Sequence, residues 1–91
     1  MDAVTATGAG GWYDTQGRSI FTIVYTSASV TSGGTLKIQG KTAGGTVYDI
    51  DTQTITSDTT TAEVFTGAHY AIRANLTART DGTFTAELEV V

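Results

Sequence analysis

The chain has no cysteine, no proline, a single histidine, three leucines (Leu36, Leu76 and Leu88) and five basic residues in 91. Without cysteine, neither a disulfide framework nor a thiolate metal centre can hold the fold. Its stability must come from burial, and synthesis in a reducing cytoplasm is unproblematic. Without proline, strand edges must be protected by charge, by bulges or by a partner. Five Lys and Arg against nine Asp and Glu give a net charge of -4. Such a balance offers no basic footprint for phosphate backbones and argues against nucleic acid and anionic membranes as partners. The longest apolar stretches, Ile20-Phe21 and Ile23-Val24-Tyr25, are broken by Thr22, far short of the ~20 residues of a membrane helix. The start, Met1-Asp2-Ala3-Val4-Thr5, has neither the basic region nor the apolar core of about 7–15 residues of a secretory signal. Disorder is excluded by composition, 40% hydrophobic and 15% charged.

What is present points to strands. Thr is the commonest residue, Val and Ile outnumber Leu, and 11 glycines cluster between β-branched runs. No window sustains an apolar stripe at helical spacing. Ninety-one residues fit one domain, which we divide into residues 1–11, a flexible N-terminal arm or edge strand, and residues 12–91, a β-sandwich. Residues 19–27 form the strongest strand, with Phe21, Ile23 and Tyr25 on one face and Ile20, Thr22, Val24 and Thr26 on the other. Both faces are apolar, so the far one requires a cover from a layer, a loop or a second subunit. Residues 35–40 pair as the next strand, Leu36 and Ile38 inward, Lys37 and Gln39 outward. In residues 46–56, Tyr48 and Ile50 share a face opposite Val47, Asp49 and Asp51. Ala62, Val64 and Phe65 mark a short strand ended by Gly67.

The last two strands read as a hairpin around Thr80-Asp81-Gly82, with Gly82 in the left-handed position. That register pairs Ala78 with Phe84, Leu76 with Ala86, Ala74 with Leu88 and Ile72 with Val90 inside. It sets Arg73 against Glu89 outside, and each pair agrees in polarity. Six firm strands and one or two more near the termini predict an all-β, single-domain antiparallel β-sandwich of six to eight strands, jelly-roll-like or immunoglobulin-like. A chain of this size buries only ~60–65% of its unfolded surface, so association adds needed burial.

Chemistry-bearing constellations are sparse. His69 and five serines show no spacing of a nucleophile, base and orienting acid, and the imidazole reads as a strand-end cap or a surface group. Gly40-Lys41-Thr42 has Thr35 where a phosphate loop needs Gly, and lies between strands rather than at a helix start. Asp49 and Asp51, joined by Asp14 or Asp58, have the oxygen chemistry of a Ca²⁺ site. An acidic strand edge that resists aggregation accounts for them more simply. Asn75-Leu76-Thr77 fits the glycosylation acceptor pattern, which without a signal sequence stays unmodified. We assign no catalytic, cofactor or metal-binding residue and expect no enzyme activity.

The segment Gly67-Ala68-His69-Tyr70-Ala71-Ile72-Arg73-Ala74-Asn75-Leu76-Thr77, then Thr80-Asp81-Gly82-Thr83-Phe84-Thr85, with Gly34-Thr35-Leu36-Lys37-Ile38-Gln39-Gly40 before it, resembles small β-sandwich structural proteins of tailed bacteriophages. These include capsid decoration (cement) and head-fibre proteins. The resemblance is one of pattern and composition over the last two thirds of the chain. It implies a non-enzymatic virion protein, made in the host cytoplasm, that binds the major capsid protein on the capsid surface and reinforces the shell, favouring a homotrimer. Val4, Trp12, Tyr13, Phe21, Ile23 and Tyr25 are the expected partner contacts, and residues 1–11 the expected arm on a neighbouring subunit. The alternative is a carbohydrate-binding module on which Trp12, Tyr13, Tyr48 or Tyr70 stacks sugar rings.

Overall fold

Period-two alternation of β-branched and polar residues builds eight strands in a computed structural model that describes residues 1, 4–15, 19–67 and 69–90. They are β1 (Gly8–Ala9), β2 (Tyr13–Asp14), β3 (Ile20–Ala28), β4 (Gly34–Lys41), β5 (Val47–Ile55), β6 (Thr59–Thr66), β7 (Ala71–Arg79) and β8 (Thr83–Val90). Ala68, part of the resemblance, and the inward side chain expected of Val90 lie outside what is described.

Two antiparallel sheets form. One has three strands in the order β6-β3-β8, and the other runs β1-β7-β4-β5 with β2 also on β7. Phe21, Ile23, Tyr25, Phe84 and Ala86 of the first sheet meet Leu36, Ile38, Ile55, Ile72, Ala74 and Leu76 of the second in one core cluster. The fold is therefore a single-domain β-sandwich. Its adjacencies from β3 to β7 match those of strands B, C, C′, E and F of an immunoglobulin-type sandwich. The flanks differ, because β8 lies beside β3 and the N-terminal strands lie beside β7.

Three sequence expectations are corrected. First, β4 does not pair with β3; it lies in the opposite sheet between β5 and β7. Second, β7 and β8 are not a hairpin. β7 pairs with β4, Leu36 opposite Leu76 and Gln39 opposite Arg73, whereas β8 crosses the core to pair with β3, Ile23 opposite Leu88 and Thr22 opposite Glu89. Ile72, Ala74, Leu76, Phe84, Ala86 and Leu88 pack inward as expected, but alternation encodes a face and not a neighbour, and both pairings bury these side chains. Arg73 and Glu89 consequently stand on opposite outer faces. Ala78, also expected inward, is exposed, because the β4–β7 register shifts between Thr35 and Leu36 and breaks the alternation there.

The segment 80–82 is thus a corner between sheets. Gly82 has φ 97°, the left-handed value expected of it. The Asp81 carboxylate accepts the amides of Thr31 (3.1 Å), Ser32 (3.1 Å) and Gly33 (2.9 Å), tying this corner to the β3–β4 corner. Those three donors hold its carboxyl below the usual value. Gly33 has φ 85°, and a Cβ there would lie 1.6 Å from the Ile55 carbonyl oxygen, so the closely packed corner requires glycine.

The third correction is a bulge. The β4–β5 register shifts between Ile38 and Gln39, whose partners are Asp51 and Asp49, leaving Ile50 without an opposite number. One extra residue reverses alternation, so Asp49 and Asp51 do not share a face. Asp49 bonds Lys37 and Gln39 outside, while Asp51 joins a seam between the sheets.

The N-terminal segment runs along one open side of its own sandwich. Val4 exchanges backbone hydrogen bonds with Phe84 of β8 (2.8 and 3.0 Å), and Met1 accepts from Ala86 (3.1 Å). Gly8 and Ala9 then pair with Leu76 and Asn75 of β7. One segment thereby covers an edge of each sheet, the protection that the absence of proline requires.

Two outcomes test this architecture. In urea unfolding, Ile72→Ala, at 0% exposure, costs about 2–5 kcal/mol, and Val64→Ala, at 68%, changes stability by about 0.5 kcal/mol or less. Asp81→Asn lowers the unfolding midpoint at pH 7. Because the folded carboxyl titrates below its ordinary 3.8, that difference is present above pH 3.8 and closes as pH falls through the folded value; midpoints measured across that range check it.

Candidate functional site

Three groupings of side chains lie outside the core: a polar seam, a cation and aromatic cluster on one outer sheet face, and a Thr-rich face on the other.

The seam closes the side where the edges β5 and β6 run together. The Tyr25 hydroxyl donates to Glu63 Oε1 (2.9 Å), and Gln53 Nε2 donates to both Asp51 Oδ2 (2.6 Å) and Glu63 Oε1 (2.9 Å). Burial pushes the Glu63 carboxyl above its ordinary value, and the neighbouring Asp51 carboxylate pushes the same way, while the Tyr25 hydroxyl opposes them. Burial, reinforced by Glu63, raises Tyr25 to about 12. A shallow cavity of about 210 Å³ opens beside Tyr25 and Gln53, lined otherwise by Thr54, Ile55, Thr56, Ser57, Thr59 and Thr61.

The second grouping starts from Gly10-Gly11, which leads into β2. Tyr13 pairs with Ile72 and points inward, its hydroxyl donating to the Ala86 carbonyl (3.4 Å). Alternation then sends Trp12 outward over β7 and β4. There Arg73 Cζ lies 4.5 Å and Lys41 Nζ 4.8 Å from its ring centroid, a cation–π arrangement. Tyr70, 59% exposed, stands beside them, with Lys41 Nζ 5.9 Å from its ring and its amide donating to the Lys41 carbonyl (3.2 Å). Polar contacts continue across the sheet. Arg73 Nε (2.9 Å) and Asn75 Nδ2 (3.2 Å) donate to Gln39 Oε1, and Gln39 Nε2 donates to Asp49 Oδ1 (2.9 Å). Lys37 pairs with Asp49 Oδ2 at 2.8 Å. Lys37 and then Gln39 hold the Asp49 carboxyl below its usual value.

The third grouping is the outer face of β6-β3-β8. Its rows set Ile20 beside Thr66, Thr22 between Val64 and Glu89, Val24 between Ala62 and Glu87, and Thr26 between Thr60 and Thr85. Ile20 is 61% and Val64 68% exposed.

The six expected contact residues do not form one surface. Phe21, Ile23 and Tyr25 are buried between the sheets; the residues that β3 turns outward are Ile20, Thr22, Val24 and Thr26. Val4 packs against the core, Tyr13 is half-buried beneath the N-terminal segment, and Trp12 is on the other sheet. Tyr48 lies against His69, its hydroxyl bonded to Nδ1. The His69 ring meets Phe21 edge-on, and among the described residues its buried Nε2 has no hydrogen-bond partner. Asp58 caps the Val30 amide (2.8 Å). Among the described residues no three His, Cys, Asp or Glu side chains gather where a metal could sit. A cleft of about 430 Å³ under residues 4–10 is lined by Met1, Val4 and small residues.

Sequence reasoning missed the Trp12 cluster and the seam. The parity that sets Lys37 and Gln39 outward also sets Lys41 outward, so half of the cluster was within reach. Its pairing with Arg73 depended on strand order, and the seam depended on the bulge.

The seam has a pH consequence. With Glu63 raised in the folded state from 4.5, folding holds that proton more tightly, so stability falls as pH rises from 4.5 through the folded value and then levels. Glu63→Gln, which keeps both hydrogen bonds and removes the carboxylate, flattens this slope and raises the unfolding midpoint at pH 7, as denaturation at successive pH values shows. Compared with known proteins, the chain matches no family model and no curated sequence.

Proposed function

We propose that the chain is a non-enzymatic structural protein of a virion, which docks on the outer surface of a bacteriophage capsid through the outer face of β6-β3-β8 and does so as a homo-oligomer, a trimer by preference. The observation that carries this reading is the composition of that face. Ile20, Ala62 and Val64 are exposed and Val24 is half-buried, set among threonines. A flat β-branched surface has little conformational entropy to lose on docking, because Thr, Val and Ile side chains are already stiff.

Area supports association in several copies. Three strands about 4.8 Å apart and eight residues long span roughly 14 by 26 Å, or about 400 Å². That is half of the roughly 800 Å² each partner contributes to a standard interface. One copy would bind weakly, and a trimer engaging three such faces would bind by avidity. Among the described residues Glu87 and Glu89 are the charged residues of this face, so a receiving shell surface with basic side chains complements it. The pattern resemblance to decoration proteins points the same way.

The test is sedimentation of a native lysate on a density gradient, with mass spectrometry of the fractions. Co-sedimentation with DNA-filled particles at fixed stoichiometry to a major shell protein is expected, and recovery only as a light species overturns docking. Val64→Glu should lower particle occupancy by about tenfold or more, the effect of about 1.4 kcal/mol, while circular dichroism and the unfolding midpoint stay unchanged. Unaltered occupancy would remove this face from the contact.

A further inference from the structure

We propose that the outer face of the five-stranded sheet binds an acidic saccharide, a sugar ring bearing a carboxylate, at Trp12, Tyr70, Lys41 and Arg73. Three of the five basic residues of an acidic chain, Lys37, Lys41 and Arg73, are gathered on this one face. Lys37 is engaged by Asp49. The contacts holding Lys41 and Arg73 are instead an aromatic ring and the neutral Gln39 amide. Both positive heads thus sit within 5 Å of one indole centroid. A ligand carboxylate on this face would meet two positive charges grouped at one ring.

The two heads are also positioned before any ligand arrives. Stacking on Trp12 removes rotamer freedom from two long side chains, and Gln39, itself held by Asp49 and Asn75, fixes the Arg73 guanidinium. Preorganisation of this kind lowers the entropy cost of binding. Tyr70 supplies the apolar plane: the residue is 59% exposed and its ring stands beside Lys41, where the face of a sugar ring can stack while its carboxylate reaches the cations. An acidic sugar fits better than a nucleic acid strand, because the ion-paired Asp49 and the net charge of -4 repel an extended polyanion and leave room for one anionic unit. This face is on the opposite side of the sandwich from β6-β3-β8, so the site stays open whether or not that sheet is docked.

Trp12 is the chain's single tryptophan and reports directly. Its emission should respond saturably to a tetragalacturonate and not to cellotetraose, a neutral chain of the same length. Lys41→Gln, Arg73→Gln and Tyr70→Ala should each weaken the uronate response by about tenfold or more, with circular dichroism unchanged. The charged-residue dependence should disappear at about 1 M salt. No saturable response up to about 10 mM uronate, an equal response to cellotetraose, or full affinity in the Lys41→Gln and Arg73→Gln variants overturns the site. A tighter response to oligothymidylate than to the uronate overturns the saccharide in favour of single-stranded nucleic acid.

Discussion

One buried layer carries this protein. A two-sheet sandwich of 91 residues has a single interior, and each sheet can give it only one face. Phe21, Ile23, Phe84 and Ala86 from one sheet and Leu36, Ile38, Ile72 and Leu76 from the other fill it. No disulfide reinforces that layer, so nearly all of the stabilisation is apolar burial set against the conformational entropy of the chain. Every other feature is arranged around it. The corner at Asp81 carries β7 into β8 across the layer, the N-terminal segment covers one side, and the Tyr25–Glu63–Gln53–Asp51 seam closes the opposite side.

The two outer faces follow from the same constraint and are chemically different. The β6-β3-β8 face presents threonines, valine and isoleucine with two glutamates, a surface suited to a flat protein partner. The face of the larger sheet presents a hydrogen-bonded strip from Lys37 through Asp49 and Gln39 to Arg73, ending under Trp12. The outer face of β3, with Ile20 and Val24 among threonines, is the sequence pattern from which the docking proposal starts. The seam adds a different property, since the raised Glu63 carboxyl loses stability as pH rises above 4.5 while the lowered Asp81 carboxyl loses it as pH falls below 3.8.

How far the sequence could be read depended on the range of each interaction. Leu36, Ile38, Ile72, Ala74, Leu76, Phe84 and Ala86 were identified as inward-facing and are buried, because side-chain alternation along a strand is local. The hairpin assigned to β7 and β8 failed although both strands and the inward faces from Ile72 to Leu76 and from Phe84 to Leu88 match the structure; Ala78, beyond the β4–β7 register shift, is exposed. Polarity matching cannot distinguish Leu88 opposite Ala74 from Leu88 opposite Ile23, since both partners are apolar. Tyr48 and Ile50 are both half-buried as local alternation implies, whereas the bulge opposite Ile38 and Gln39 separates Asp49 from Asp51.

By itself, the sequence determined the class of structure, the main strands, the inward side of each where alternation runs unbroken and the glycine at the left-handed corner, because these rest on backbone sterics and period-two burial within a few residues; at the register shifts opposite Asp49–Asp51 and Thr77–Ala78 it did not. Only the tertiary structure decided which strands are neighbours, that Asp51 and Glu63 meet across two sheet edges, that the N-terminal segment lies on its own sandwich, and that Trp12 rests on Lys41 and Arg73. Those outcomes depend on contacts between residues 10 to 85 positions apart, where many pairings bury nearly equal apolar area and the closure of the whole sandwich selects among them.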